Sequence, residues 1–227
     1  MKICLVTLFP EIFTSFFQAS LISKAIEKEL FAIELVNPRD FSPPPHHHVD
    51  DTPYGGGAGM VMKPEPLAKA ILRAKEILPD AKVTLLSPHG EKFSQASAHL
   101  LSKREHHIFV CGRYEGIDQR VIDLYVDHQI SLGDFILMGG EVAAMALIEA
   151  TLRLKPGILG NELSTKHESF SEPLLEAPHY TRPPEFEGIK VPEVLLSGDH
   201  KKIEEWRTKI SLELTKTNRP DLLKKKE

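Results

Sequence analysis

The chain has 227 residues, 41% of them hydrophobic, which suffices for one sizeable core and a small second domain. A net charge of −4 gives no bulk signal for nucleic acid, no apolar run is long enough to span a membrane, and MKICLVTLFPEIF lacks a signal-peptide cleavage pattern. Two cysteines exclude a disulfide framework; Cys4 and Cys111 read as buried packing residues of a cytoplasmic protein.

Residues 2–9, KICLVTLF, read as a buried strand, and Pro10 opens an amphipathic helix to about Glu29, with Phe13, Phe16, Phe17, Leu21 and Ile22 on its apolar side. FAIELV (31–36) is a second strand. NPRDFSPPPHHHVDDTPYGGGAGM (37–60) has no periodicity and reads as a long functional loop. A helix follows from about 64 to 77, then a strand at 82–88, a helix at 94–104, a strand at 107–112, and a short helix at 117–125. SLGDFILMGGE (131–141) places a strand-like apolar run between glycines, and a helix occupies about 140–154. Alternating strands and helices with apolar strands predict an α/β domain on a parallel sheet over residues 1–157. Residues 158–172 are polar and aperiodic, a linker or active-site loop, and 173–227 form a smaller, mostly helical domain.

In that last part, Asp199 is placed to cap a helix with Ile203, Trp206, Ile210 and Leu214 on its apolar side. Lys202, Lys209 and Lys216 recur every seven residues. Residues 200–227 carry nine Lys/Arg against five Asp/Glu, a net +4 that leaves −8 on the rest. A basic end on an acidic body suits a polyanion contact; a solvated helix with lysines in water gives the same pattern.

LLSPHG (85–90), VCGRYEGID (110–118) and ISLGDFILMGGE (130–141) each begin as an apolar strand and end in small or turn-forming residues. Ligands of parallel α/β sheets sit where strand carboxyl ends open into such loops. The chain has no GxxxxGK[ST] and no GxGxxG directly after a strand, so phosphate and dinucleotide cradles are excluded. Converging backbone amides and apolar walls suit an adenine ring and an uncharged or cationic chain instead.

PRDF (38–41), VDDTPYGGGAGM (49–60), LLSPHG, CGRYEGIDQRV (111–121), SLGDFILMGGE, PGILG (156–160) and PHYTRP (178–183) appear in this order. Together they closely resemble the bacterial tRNA (guanine-N1)-methyltransferases of the SPOUT superfamily, from residue 1 to about 215. The resemblance implies a SPOUT-type parallel sheet with a deep trefoil knot, methylation of guanosine 37 of tRNA, and S-adenosylmethionine as methyl donor. It matches Leu86, Ser87, Pro88, Gly112, Tyr114, Glu115, Leu132, Gly133, Asp134, Phe135, Ile136, Leu137, Gly139 and Gly140 to cofactor binding. Asp50, Tyr54, Gly55 and Gly59 fall near the target guanine, and Lys202, Arg207, Lys209 and Lys216 on the anticodon stem-loop.

Guanine N1 is protonated at neutral pH, so a base must remove that proton while charge growing toward O6 is stabilised. The family's arginine matches Arg153, which by itself also reads as a cation at a helix C-terminus. The family's base is an aspartate before Ser-Phe; here Glu168 stands there, one methylene longer, with Glu172 or Glu162 as substitutes. The resemblance further implies a homodimer with active sites shared between chains, and a dependence on Mg²⁺ with no ligand set legible. His46, His47 and His48 read as a solvent-facing loop rather than a metal site. An oxidoreductase is excluded by TLFPEIF (7–13), which has no glycine; a catalytically impaired knot-fold RNA-binding protein is the remaining alternative.

Overall fold

The first strand, β1 (Lys2–Val6), is apolar on both sides because both are covered. Ile3 and Leu5 enter one core, Cys4 and Val6 the other, and all four are fully buried. The computed structural model describes residues 1–160, 165 and 168–224, in two units, Met1–Gly160 and Asn161–Glu227.

In the first unit β1 leads through α1 (Thr14–Phe17) and α2 (Ser20–Glu27) to β2 (Ala32–Val36). Two-residue strands β3 (Asp50–Asp51) and β4 (Val61–Met62) bracket the glycine-rich loop. Then come α3 (Pro64–Ile77), β5 (Lys82–Lys92), α4 (Gln95–Ser102), β6 (His106–Cys111), α5 (Gln119–Tyr125), β7 (His128–Ser131) and α6 (Glu141–Leu152). The main sheet runs β2-β1-β6-β5-β7, and every pairing in it is parallel. One face packs on α3, which buries Leu67, Ala70, Ile71 and Ala74 at helical spacing; the other packs on α6 through Ala144, Leu147 and Ile148. All strand carboxyl ends therefore open on one edge of the sheet.

The β5–β7 pairing is irregular there. Leu86 and Glu91 both stand opposite Ile130, so residues 87–90 bulge out of the ladder. A Cβ on Gly90 would lie 2.3 Å from the Ile130 nitrogen, so the chain re-enters as bare backbone.

Two sequence readings need correction. The helix expected from Pro10 to Glu29 is a 3-10 turn (Pro10–Phe13) and two short helices, broken where Ala19 is extended and Ser20 takes φ +41°. TSFFQAS is poor in strong helix formers, and no glycine or proline marks the joint. The run 135–138 forms no strand: β7 ends at Ser131, and Phe135, Ile136 and Met138 are exposed. A turn with Phe135 N–H donating to Gly133 O (3.0 Å) diverts the chain first.

The second unit contains a hairpin, β8 (Glu185–Phe186) and β9 (Ile189–Lys190), short α7 (Glu193–Leu196) and α8 (His200–Asn218). The hairpin, absent from the sequence reading, turns on Glu187 and Gly188, both at positive φ, as a tight two-residue turn requires. Asp199 does cap α8, accepting from Lys202 N–H at 3.2 Å, and Ile203, Trp206, Ile210 and Leu214 are half-buried. Fully buried Thr215 stitches the preceding segment to α8, its Oγ1 accepting from Leu175 N–H at 2.9 Å. The Arg219 guanidinium lies 5.5 Å from the Phe170 ring centre.

Candidate active site

The bulge of β5, the loop after β6 and the loop after β7 line a cavity of about 520 Å³. Of the residues matched to a cofactor, Leu86, Ser87, Pro88, Gly112, Tyr114, Glu115, Leu132, Gly133, Phe135, Ile136, Leu137, Gly139 and Gly140 stand in its wall. Asp134 does not; its carboxylate pairs with Lys92 Nζ at 2.6 Å, fastening the β7 loop to the far end of the bulge.

The floor is backbone against backbone. Gly140 N–H donates to Gly112 O at 2.9 Å, and Arg113 bridges Gly139. A Cβ on Gly140 would stand 2.8 Å from Cys111 Cα, so only glycine lets α6 begin this close to β6. Apolar walls come from Leu86, Pro88, Ile117, Ile130 and Ala143; Arg113 and Glu115 are the charged lining residues. The size suits a small-molecule ligand. The chemistry fits S-adenosylmethionine: main-chain groups for an adenine edge, apolar walls for its faces, and no lysine among the lining residues to take a phosphate.

The loop between β3 and β4 is tied to this cavity. Glu115 N–H donates to Met60 O (2.9 Å), Met62 N–H to Gly116 O (2.9 Å) and Asp118 N–H to Met62 O (3.1 Å). Gly59 lies directly under the Glu115 side chain; a Cβ there would come within 2.5 Å of it. Asp50, at the start of β3, stands beside the Tyr114 hydroxyl, and the phenol is pushed up, first by burial and then by that carboxylate. Tyr54 and Gly55 are at the loop tip, with Tyr54 fully exposed.

Arg153, in the same unit, is not among the residues that line the cavity. Arg153 follows the last residue of α6, its N–H donating to Glu149 O at 3.2 Å. Glu168 belongs to the second unit, where its carbonyl accepts from Ser171 N–H at 3.2 Å; Glu172 is in the same turn, and Glu162 lies outside the described residues. Lys202, Arg207, Lys209 and Lys216 are all exposed on α8. Lys202 is paired with Asp199 at 3.2 Å, whereas the other three make no ion pair among the described residues. His46 and His48 lie ring to ring at 5.4 Å, and among the described residues no three His, Cys, Asp or Glu side chains group as a metal site. The Mg²⁺ implied by resemblance therefore has no clustered ligand set here.

Sequence reasoning missed Glu141, Arg113 and Thr7. Glu141 is 1% exposed; Thr7 Oγ1 donates to its Oε1 at 2.8 Å, and Arg113 Nε lies 2.9 Å from Oε2 without the alignment of a hydrogen bond. An acid at a helix start looks like an ordinary complement to the helix dipole. The available signal was its setting, a charge opening the apolar helix EVAAMALIEATL.

Residues 1–225 match the family described as tRNA (Guanine-1)-methyltransferase TrmD. Three curated relatives carry the name tRNA (guanine-N(1)-)-methyltransferase. The one from Carboxydothermus hydrogenoformans is 56% identical over 99% of this chain and 88% of its own length. That from Desulfatibacillum aliphaticivorans is 53% identical over 100% and 87%, and that from Bacillus cereus 51% over 100% and 93%.

Proposed function

The chain belongs to the tRNA (guanine-1)-methyltransferase family, and from that premise we propose that it methylates N1 of guanosine 37 in tRNA, using S-adenosylmethionine. The supporting observation is the cavity: three strand-end loops meet over a glycine floor, with apolar walls and no lysine in the lining. When bound, S-adenosylmethionine supplies a methyl group on a positively charged sulfur. In this reading the loops hold the donor bent, as a knotted SPOUT arrangement would, and exclude water from the sulfonium. Asp50 and the 53–60 loop, bonded through Met60 to Glu115, hold the guanine beside the cavity.

The Glu168 carboxylate takes the N1 proton as the N1–carbon bond forms and the carbon–sulfur bond breaks. The Arg153 guanidinium faces the charge developing at O6, and Glu168 then releases its proton to solvent. Alignment of N1 with the methyl carbon is the larger contribution, since orientation alone supplies about 7–11 kcal/mol in favourable cases, against a factor of about 10²–10⁴ for the base. Arg207, Lys209 and Lys216, with Lys202, engage phosphates of the anticodon stem, positioning rather than reading sequence. Arg153 and Glu168 belong to different units, and a homodimer in which the loop of one chain completes the site of its partner fits this division. No step is assigned to Mg²⁺. The protein works in the cytoplasm, where its tRNA substrate is.

The test is transfer of labelled methyl from S-adenosylmethionine to an unmodified tRNA transcript with guanosine at position 37. An otherwise identical transcript with adenosine there stays unlabelled. Glu168→Gln lowers the single-turnover rate at least about 100-fold, within the usual range for a lost general base. Label in both transcripts would refute the position; a fully active Glu168→Gln would refute the base.

A further inference from the structure

Glu141 opens α6 with its carboxylate almost wholly out of water, yet it does not line the cavity. Its two oxygens take partners from the ends of two central strands: Thr7, just after β1, and Arg113, just after β6. The same Thr7 hydroxyl accepts from Phe9 N–H at 3.1 Å. Arg113 lies over the Phe9 ring, 4.4 Å from its centre, and its Nη1 donates to Met138 O at 3.4 Å. One carboxylate thus gathers the end of β1, the end of β6 and the segment 138–140.

A buried charge pair contributes little to stability that a well-packed apolar group would not, because both ions lose their hydration. What it does supply is a defined separation between the segments that carry the charges. That separation matters here because Gly139 and Gly140 have no side chains with which to space themselves from Cys111, Gly112 and Arg113. The place of a Cβ on Gly139 is already filled by Arg113, whose Nε would be 2.3 Å away, and by Glu141 Oε2 at 2.6 Å. Arg113, Gly139 and Gly140 are cavity wall; Glu141 and Thr7 stand behind them.

We infer that Glu141, supported by Thr7, is a positioning residue that sets the shape of the methyl-donor cavity through Arg113. It touches neither donor nor guanine. It fixes where the 112–113 and 138–140 walls stand relative to one another, and so which bent ligand they accept. The inference rests on the reading of the cavity as the methyl-donor site, and the two can fail separately.

The test uses the full chain, titrating S-adenosylmethionine by calorimetry beside thermal unfolding of each variant. Glu141→Gln keeps an acceptor for Thr7 but removes the charge facing Arg113, and its dissociation constant rises tenfold or more. Two substitutions at Thr7 then separate positioning from stability. Thr7→Ser loses a buried methyl and unfolds at lower temperature but binds as the wild type does. Thr7→Val keeps the side-chain shape, loses the hydroxyl, and binds threefold or more weakly. A purely structural role would instead make affinity follow the unfolding temperature across the set. Wild-type affinity in folded Glu141→Gln, or in Thr7→Val should the first not fold, overturns the inference alone. No binding by the wild-type chain overturns it together with the reading of the cavity.

Discussion

Gly140 stands so close to Cys111 that a Cβ on it would lie 2.8 Å from the Cys111 Cα and 3.2 Å from the Gly112 nitrogen. Its φ of −78° is one that any residue adopts, so the constraint is crowding and not backbone strain. Gly140 is the N-cap of α6, where glycine is also preferred to alanine, so the capping preference and the clash act in the same direction. Gly140→Ala should cost about 3 kcal/mol, the upper part of the usual range for overpacking, and should abolish donor binding. Gly112→Ala is the contrast: its Cβ would meet Ile117 at an ordinary 3.7 Å, so its urea midpoint should stay near wild type. Equal destabilisation by both would show that packing at Gly140 is not the limiting contact.

Gly90 makes a comparable demand elsewhere on the rim. Its Cβ would fall 2.3 Å from Ile130 N and 2.4 Å from Gln129 C, inside the re-entrant part of β5. Gly90→Ala should push β7 off β5 at the sheet edge. Exchange of the Phe93 amide, which donates to Ser131 O at 2.8 Å, should accelerate well beyond exchange in β1. Unchanged protection at Phe93 would mean the bulge yields elsewhere.

His107 sets a pH dependence. The ring is 2% exposed, stacked on Phe109 at 5.6 Å, and its Nε2 has no hydrogen-bond partner among the described residues. Burial pushes its pKa down from 6.5 to about 4, with the nearby charge of Arg104 acting in the same direction and backbone bonds to Leu101 and Arg104 opposing. Because the folded value lies below the unfolded one, the unfolded chain takes up the proton first as pH falls. The stability present above pH 6.5 is lost progressively down to about pH 4, on the order of 3 kcal/mol in all. In urea titrations His107→Leu should flatten that part of the pH profile relative to wild type. A slope unchanged by the substitution would assign the effect to other groups.

The charges of α8 differ in availability. Lys202 already shares its charge with Asp199, whereas Lys209 and Lys216 have no such partner among the described residues. Lys209→Gln and Lys216→Gln should each weaken tRNA binding, and each should reduce the slope of log affinity against log salt by about 0.7–0.9 if one phosphate contact is lost. Lys202→Gln should do less on both counts. These residues are exposed, so unfolding temperatures should barely move. Salt slopes identical to wild type in all three would place the tRNA elsewhere.

Local signals carried the sheet well. The apolar runs at 2–9, 82–88 and 107–112 are β1, the first part of β5, and β6, and the helix expected at 64–77 is α3 to the residue. The three strand-end loops do meet around one cavity, and the glycines singled out there lie in its wall. What escaped was decided by distant partners. Nothing near Glu141 in the sequence says that Thr7, 134 residues earlier, will donate to it. The continuation of β5 to Lys92 depends on β7 offering Ile130 a second time, which no pattern within 82–92 contains. The joint at Ala19–Ser20 carries no helix-breaking residue at all. The turn at Glu187-Gly188 gave only half of a hairpin signal: glycine is the usual second turn residue, but Glu187 replaces the expected Asn, Asp or Gly, and the flanking pairs, Glu-Phe and Ile-Lys, are half charged.

The strand order also dictates a timetable for synthesis. β1 is the second strand from one edge, and while β2 reaches it early, its other neighbour begins at His106, about a hundred residues after Lys2. At about 5–20 residues per second, β1 waits roughly 5–20 s on the ribosome with one side of its ladder open. The first strand to emerge is therefore closed only when the fourth of the sheet's five strands has been made. Until β6 arrives, an apolar edge bearing Ile3, Leu5 and Val6 is exposed to whatever other nascent chain lies nearby.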